Sequence, residues 1–175
     1  MSNKSGSYKI RPAGRHLLTI GRDLIQDSYA AVVELVKNSY DADASRVEIS
    51  FEANPKNQGL KISISDDGHG MSRDVVLNKW MVPSTDDKLK RGKSPNGRLM
   101  QGRKGIGRYA ASILGDSMLL ETTSENSEQT TILVEWSDFN KAEFLDDVEL
   151  LIDTSPSTRE PVSYTHLTLP TIYSV

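Results

Sequence analysis

The chain has no cysteine among its 175 residues. That absence excludes disulfide scaffolds, cysteine-ligated zinc and thiol catalysis. Aromatic residues are scarce, at 6% of the chain. None lies between Lys88 and Arg108, the most basic stretch, so that stretch offers no platform for base stacking. No apolar run approaches the roughly 20 residues of a membrane-spanning helix, and no membrane partner is expected. Neither sign of charge dominates. The 21 Lys and Arg against 24 Asp and Glu give a net charge of −3, with no global pull toward nucleic acid or a lipid surface. Met1–Gly6 is polar and lacks the apolar stretch of a secretory signal, so a cytoplasmic protein is expected. What is present is 37% hydrophobic residues, enough for one core, in a length that fits one domain.

Residues 1–13 read as a flexible arm. Leu17, Leu18 and Ile20 predict a short helix ending near Gly21. Leu24, Ile25, Ala31, Val32, Leu35 and Val36 then recur at helical spacing and predict a helix over about 23–40. Val47, Ile49 and Phe51 alternate, as do Leu60, Ile62 and Ile64, and the turn at 54–59 makes the two runs a β-hairpin. Ser72 can cap a helix that Pro83 stops. Residues 84–104 are polar and Gly-rich and read as a long loop, followed by a helix over about 105–114. Strands are expected at 117–123 and 130–136, with another near 148–152. The elements predict an α+β fold: a two-layer sandwich with a mixed, mostly antiparallel sheet and helices on one face.

Pro161–Val175 carries no Asp, Glu, Lys or Arg, whereas residues 138–160 are rich in them. The run VSYTHLTLPT resembles the conceptual translation of a transposase-type sequencing adapter. The expectation is therefore that 161–175 is a non-native tail, that the gene was cut near Glu160, and that residues 14–160 form a domain missing its last strand or strands.

Three stretches carry chemistry. In ELVKNSYDADA, Glu34, Asn38 and Asp41 fall on one helix face. A carboxylate there can take a proton from water, and an amide oxygen can bind a hard cation such as Mg²⁺. Read alone, the pattern equally fits a solvated polar face. In ISDDGHGM, Asp66 ends an apolar strand just before Gly68 and Gly70, where a ligand can approach closely. A carboxylate there can accept a hydrogen bond from an exocyclic amine such as that of adenine. Met71 fits either plain core or a contact with a flat ring. In GRKGIGR, Gly102, Gly105 and Gly107 open a helix and can form an anion site, to which Lys104 adds a point charge. The spacing is neither a P-loop nor the dinucleotide fingerprint. Lys88–Arg108 holds eight Lys or Arg, no Asp or Glu and five of the twelve glycines. It reads as a lid over phosphates, or alternatively as a solvated loop or nucleic-acid patch.

In this order and spacing the three stretches resemble the GHKL ATPase superfamily of gyrase, heat-shock chaperone, histidine kinase and MutL, over roughly Arg15–Trp136. ELVKNSYDADA resembles its N-box, DDGHG its D-x-G-x-G box and GRKGIG its G-x-x-G-x-G box. The resemblance implies the Bergerat fold, with ATP and Mg²⁺ held between helices and lid. It implies Glu34 as general base and Asn38 as the Mg²⁺ ligand, with Lys104 acting on the phosphates. Asp66 would bind the adenine amine, and Gly68, Gly70 and Met71 would shape the base pocket. Asp41, Gly102, Gly105, Ile106 and Gly107 would complete the nucleotide site, with Ser84 and Thr85 as further phosphate-side candidates. A Thr on a later strand usually completes the adenine site. Thr130 is a candidate, although no Gly precedes it, and a true Gly-Thr strand is expected beyond Glu160. The acidic residue Glu34 favours ATP hydrolysis over a histidine-kinase role. A kinase-type domain and a nucleic-acid module using 88–108 stand as alternatives. The general look of DADA and GRKGIGR is nearest to MORC- and chaperone-like ATPases of multidomain proteins, which implies missing C-terminal domains and an ATP-dependent homodimer.

Overall fold

In a computed structural model the described residues are 7–54, 59–84, 91–102, 105, 107–124, 128–157 and 162–169, the last as backbone. Six strands form one sheet in the order β1-β2-β6-β3-β4-β5, with every neighbouring pair antiparallel. They are β1 (Val47–Asn54), β2 (Gly59–Asp66), β3 (Ser117–Thr123), β4 (Glu128–Glu135), β5 (Leu151–Pro156) and β6 (Val162–Leu169). The architecture is the expected α+β layer of helices on a sheet.

Helix α1 spans His16–Leu24 and α2 spans Ser28–Asp41. The two helices predicted here are present, but the break between them falls at 25–27 rather than near Gly21. Asp27 breaks the run by capping α2, its carboxylate accepting from the Ala30 N–H at 2.8 Å. Buried Ile25 sits in the extended joint, which is why apolar spacing runs on across it. α3 comprises Arg73–Val75 in α-helix followed by Val76–Trp80 in π-helix. Ser72 caps it as predicted, accepting from the Val75 N–H at 3.4 Å. α4 begins as a 3₁₀ turn, Gly107–Ala110, and continues as one α-turn, Ala111–Leu114. It starts later than the predicted 105 because Gly105 holds φ +66°, outside helical space. α5 (Trp136–Lys141) was not predicted and takes Trp136 out of the expected strand.

Alternation along the central strands points Ile62, Ile64, Met118, Leu120, Ile132 and Val134 into the core beneath the helices. They meet Leu17, Leu18, Ala31, Leu35, Tyr109, Ala111 and Leu114 from α1, α2 and α4. Burying each large aliphatic side chain contributes about 1.5–3 kcal/mol. Phe51, Leu133 and Leu151 remain exposed. The end of the expected N-terminal arm, residues 11–13, is tied down. Arg11 stacks 3.6 Å over the Phe144 ring and pairs with Asp146 and Asp147, and Ala13 bridges Phe144.

The segment expected as a non-native tail contributes β6. β6 pairs with β2 on one side and β3 on the other, with Ile64 and Leu120 both opposite Thr165. β2 and β3 each present a free ladder edge there, and a segment rich in Thr, Tyr and Leu satisfies both.

Candidate functional site

The site starts on α2. Glu34, Asn38 and Asp41 stack along one face, as their spacing requires. Lys37 Nζ lies 2.7 Å from Glu34 Oε1 and fixes that carboxylate from one side. From the other side comes the glycine segment. A Cβ placed on Gly107 would lie 3.2 Å from Glu34 Oε2 and 3.9 Å from Asn38 Nδ2. Glycine at 107 therefore lets α4 start directly against the polar face of α2.

Asp66, at the end of β2, is held by two donors. Ser39 Oγ donates to its Oδ2 at 2.8 Å and the Gly68 N–H donates to its Oδ1 at 3.0 Å. Burial pushes its pKa up, against the opposing pull of those two hydrogen bonds. Its neighbour Asp67 points away to solvent. There it accepts from the Ser45 hydroxyl and from the backbone N–H groups of Ser45 and Arg46. The Ser45 and Arg46 bonds lower its pKa to about 2. The two adjacent aspartates thus do different work: Asp67 fastens the loop after α2, and Asp66 faces inward.

The glycines that follow are fitted to this turn. A Cβ on Gly68 would lie 2.7 Å from the Ala42 carbonyl oxygen. Gly70 holds φ +62°, and a Cβ there would lie 2.0 Å from the Thr123 carbonyl oxygen. Only glycine lets the chain pass between α2 and β3 at these points.

These elements enclose a cavity of about 210 Å³. Its lining includes Asn38 and Asp41 from α2, Asp66 from β2, Gly70 and Met71 from the turn, and Gly105 before α4. All three sequence motifs therefore open onto one space. Glu34 and Gly107 stand beside this lining through Asn38, while Gly68 lies behind Asp66. Gly102 is not among the lining residues, and its N–H is given to Asp41 Oδ2 at 3.0 Å. Ser84 is exposed, at φ +57°, and does not line the cavity. Thr85, Lys104 and Ile106 lie outside the described residues.

Several lining residues were not singled out from the sequence. Met118, Leu120 and Thr122 of β3 form part of the floor. Thr122 is 1% exposed, and its Oγ1 accepts from the Met71 N–H at 2.8 Å. Thr130 sits opposite Thr122 in the β3–β4 register but does not reach the cavity. The sequence signal for Thr122 was a polar residue ending the inward-facing series Met118, Leu120, Thr122. Trp80, Met100 and His69 add wall, and Lys79, Arg91 and Arg108 add positive charge. Arg108 lies 5.7 Å from the Trp80 ring centroid and donates to the Lys79 carbonyl at 3.0 Å, and burial lowers its pKa. The loop expected over 84–104 is partly built. Lys93 bridges Leu99, and the Met100 N–H donates to the Gly92 carbonyl, so 92–100 closes as a small hairpin.

No helix among the described residues is long and apolar enough to cross a membrane. Among those residues no group of three or more His, Cys, Asp or Glu is arranged to hold a metal ion.

Comparison with known proteins shows the family. Residues 26–163 match the family described as histidine kinase-, DNA gyrase B- and HSP90-like ATPase. The chain is 32% identical over 138 residues to ATPase MORC2B of Mus musculus, covering 77% of this chain and 13% of that protein. It is 34% identical over 103 residues to the DNA mismatch repair protein MutL of Methanocorpusculum labreanum, covering 59% of this chain and 17% of that protein. A 53-residue stretch is 40% identical to MutL of Leptospira biflexa, covering 30% of this chain and 8% of that protein. The chain thus spans less than a fifth of the length of each of these relatives. It belongs to the histidine kinase-, DNA gyrase B- and HSP90-like ATPase family, the GHKL ATPases.

Proposed function

We propose that this domain binds ATP with Mg²⁺ and hydrolyses it, as the ATPase module of a larger protein. The observation that carries this reading is the shared cavity onto which Asp66, Asn38 and Gly105 all open. The adenine end fits the Asp66 side. An ionised carboxylate there accepts from the exocyclic amine. Thr122, already accepting from Met71, keeps its own hydroxyl proton to donate to a ring nitrogen. Met71, Met118 and Leu120 supply apolar surface for the ring. The triphosphate end fits the side lined by Lys79, Arg91, Arg108 and Gly105, where cations and backbone N–H groups meet.

The donor set suits Mg²⁺ held mainly by phosphate and water, with the Asn38 amide oxygen as the protein's contribution. Bound there, the ion would offset negative charge on the phosphates. Glu34, beside Asn38 and Gly107 and steadied by Lys37, is the group positioned to orient a water and take its proton. Hydrolysis would be coupled to closure of the segment before α4 and to ATP-dependent pairing of two copies of the full-length protein. The names of the relatives include an ATPase and mismatch repair proteins, and the output of this module is proposed to depend on domains beyond it.

The test is turnover of ATP by the wild-type chain with and without Mg²⁺, beside the Glu34→Ala variant. Glu34→Ala is expected to bind ATP with unchanged affinity and to hydrolyse it about 100-fold or more slowly. Retained turnover would remove Glu34 from the role of base.

A further inference from the structure

Asp41 and Asp43 sit where α2 ends, and between them they hold the hairpin 92–100 and the two residues that follow it. Asp41 is 3% exposed. Its two carboxylate oxygens accept from successive backbone amides, Gln101 N–H at 2.7 Å and Gly102 N–H at 3.0 Å. Asp43 adopts φ +62°, a left-handed backbone that costs an aspartate some strain. That conformation accompanies a second set of contacts. Asp43 accepts from the Ser94 hydroxyl at 2.5 Å and from the Asn96 N–H at 3.0 Å, and Arg98 Nε lies 3.8 Å away. Arg98 Nη1 donates to the Ala44 carbonyl at 2.7 Å, and its guanidinium lies 5.1 Å from the Tyr40 ring centroid. Ser94 completes the clasp by accepting from the Arg98 N–H at 3.0 Å.

We propose that Asp41 and Asp43 are positioning residues: they clasp the 92–102 segment to the end of α2, and so set the glycine segment at the height where it meets the phosphates. This rests on the ATP reading above. It differs from a direct nucleotide contact, because the Asp41 oxygens are committed to protein amides. Asp41 holds Gln101 and Gly102, where the glycine segment proposed for the phosphates begins, whereas Asp66 and Thr122, proposed for the base, are held by Ser39, Gly68 and Met71. Loss of the clasp therefore weakens ATP and spares adenosine.

The test is calorimetric titration of the full chain with ATP and, separately, with adenosine. The variants are Asp43→Ala, Asp41→Asn and Ser94→Ala, the last acting from the hairpin without touching α2. Each is expected to weaken ATP about tenfold, the scale of one or two charge-assisted hydrogen bonds, and to change adenosine by less than about twofold. Equal weakening of both ligands would reduce the clasp to general stability and overturn the proposal. So would unchanged ATP affinity, or tighter ATP binding by Asp41→Asn, which would make Asp41 a competitor of phosphate. Tryptic cleavage after Arg98 gives a readout that needs no nucleotide, since a clasped Arg98 cannot enter the protease. Asp43→Ala and Ser94→Ala should be cut there about tenfold faster than wild type. An unchanged cleavage rate would overturn the clasp. Faster cleavage in a chain that takes up neither ligand would keep the clasp and reject the ATP reading.

Discussion

Ser39 Oγ donates to Asp66 Oδ2 at 2.8 Å, joining the middle of α2 to the end of β2. One residue earlier on the same helix, Asn38 lines the cavity, on what we propose to be its phosphate side. A single turn of α2 therefore aligns both ends of the proposed ligand. The Ser39 contact also keeps the Asp66 carboxylate oriented in a site where burial favours its protonated form.

Asp67 gives the clearest pH signature. Its folded value of about 2 lies below the ordinary 3.8, chiefly through hydrogen bonds from Ser45 and Arg46. A depressed carboxylate contributes stability that is present above the unfolded value and is lost as pH falls through the folded one. Thermal melts of the wild type should therefore show a loss of Tm between pH 3.8 and about 2 to which Asp67 contributes. Asp67→Ala is expected to melt lower at neutral pH and to show a shallower slope in that window. Parallel Tm–pH curves for the two proteins would contradict this assignment.

Gly70→Ala should be among the most damaging single changes in the chain. The new methyl would lie 2.0 Å from the Thr123 carbonyl oxygen, at φ +62°. Neither the turn nor the central strand β3 can give way cheaply. The expected cost in denaturant unfolding is about 4 kcal/mol or more. A loss below about 1 kcal/mol would mean that the turn is looser than the geometry requires.

Thr122 and Thr130 face each other across β3 and β4, yet their hydroxyls differ. Thr122→Val orphans the Met71 N–H and is expected to cost about 1–3 kcal/mol of stability, with weaker adenosine binding. Thr130 Oγ1 has no hydrogen-bond partner among the described residues. Thr130→Val should be neutral or mildly stabilising and leave binding intact. Chemical denaturation with adenosine titration of both variants separates the two, and the reverse ranking would move the adenine site to Thr130.

Deleting 161–175 removes the strand between β2 and β3 and splits the sheet into β1-β2 and β3-β4-β5. The truncated chain is expected to lose its cooperative thermal transition and to expose apolar surface. Circular dichroism melts with dye binding would show this. A sharp melt at the wild-type temperature would mean that β6 contributes nothing to the sheet.

Much of this was legible in the sequence. The 3.6-residue period placed Glu34, Asn38 and Asp41 on one face, and strand alternation put Ile62 and Ile64 on one side of their strand. Glycines at 68 and 70 were read as room for a ligand; what the structure shows at them is close passage of the chain's own backbone at Ala42 and Thr123. Other features had no local signature. The break at Asp27 was hidden because Ile25 continues the apolar spacing through an extended joint. Asp43 meets Ser94 across 51 positions, a pairing that only tertiary structure creates. Both Thr122 and Thr130 alternate inward, so only the path of α3 and its preceding turn decides which of them reaches the cavity. The place of 162–169 in the middle of the sheet follows from two waiting strand edges rather than from anything in that segment alone.

The central claim is that one adenine nucleotide is gripped by Asp66 at its base and by the glycine segment at its phosphates. Calorimetric titration of the full chain with ATP, beside its Asp66→Asn variant, tests this most directly. The account predicts one saturable site in the wild type, weakened about 10- to 100-fold by the substitution, the scale of one hydrogen bond to a charged group. Absence of ATP uptake by the wild-type chain, or equal affinity in the variant, would contradict it.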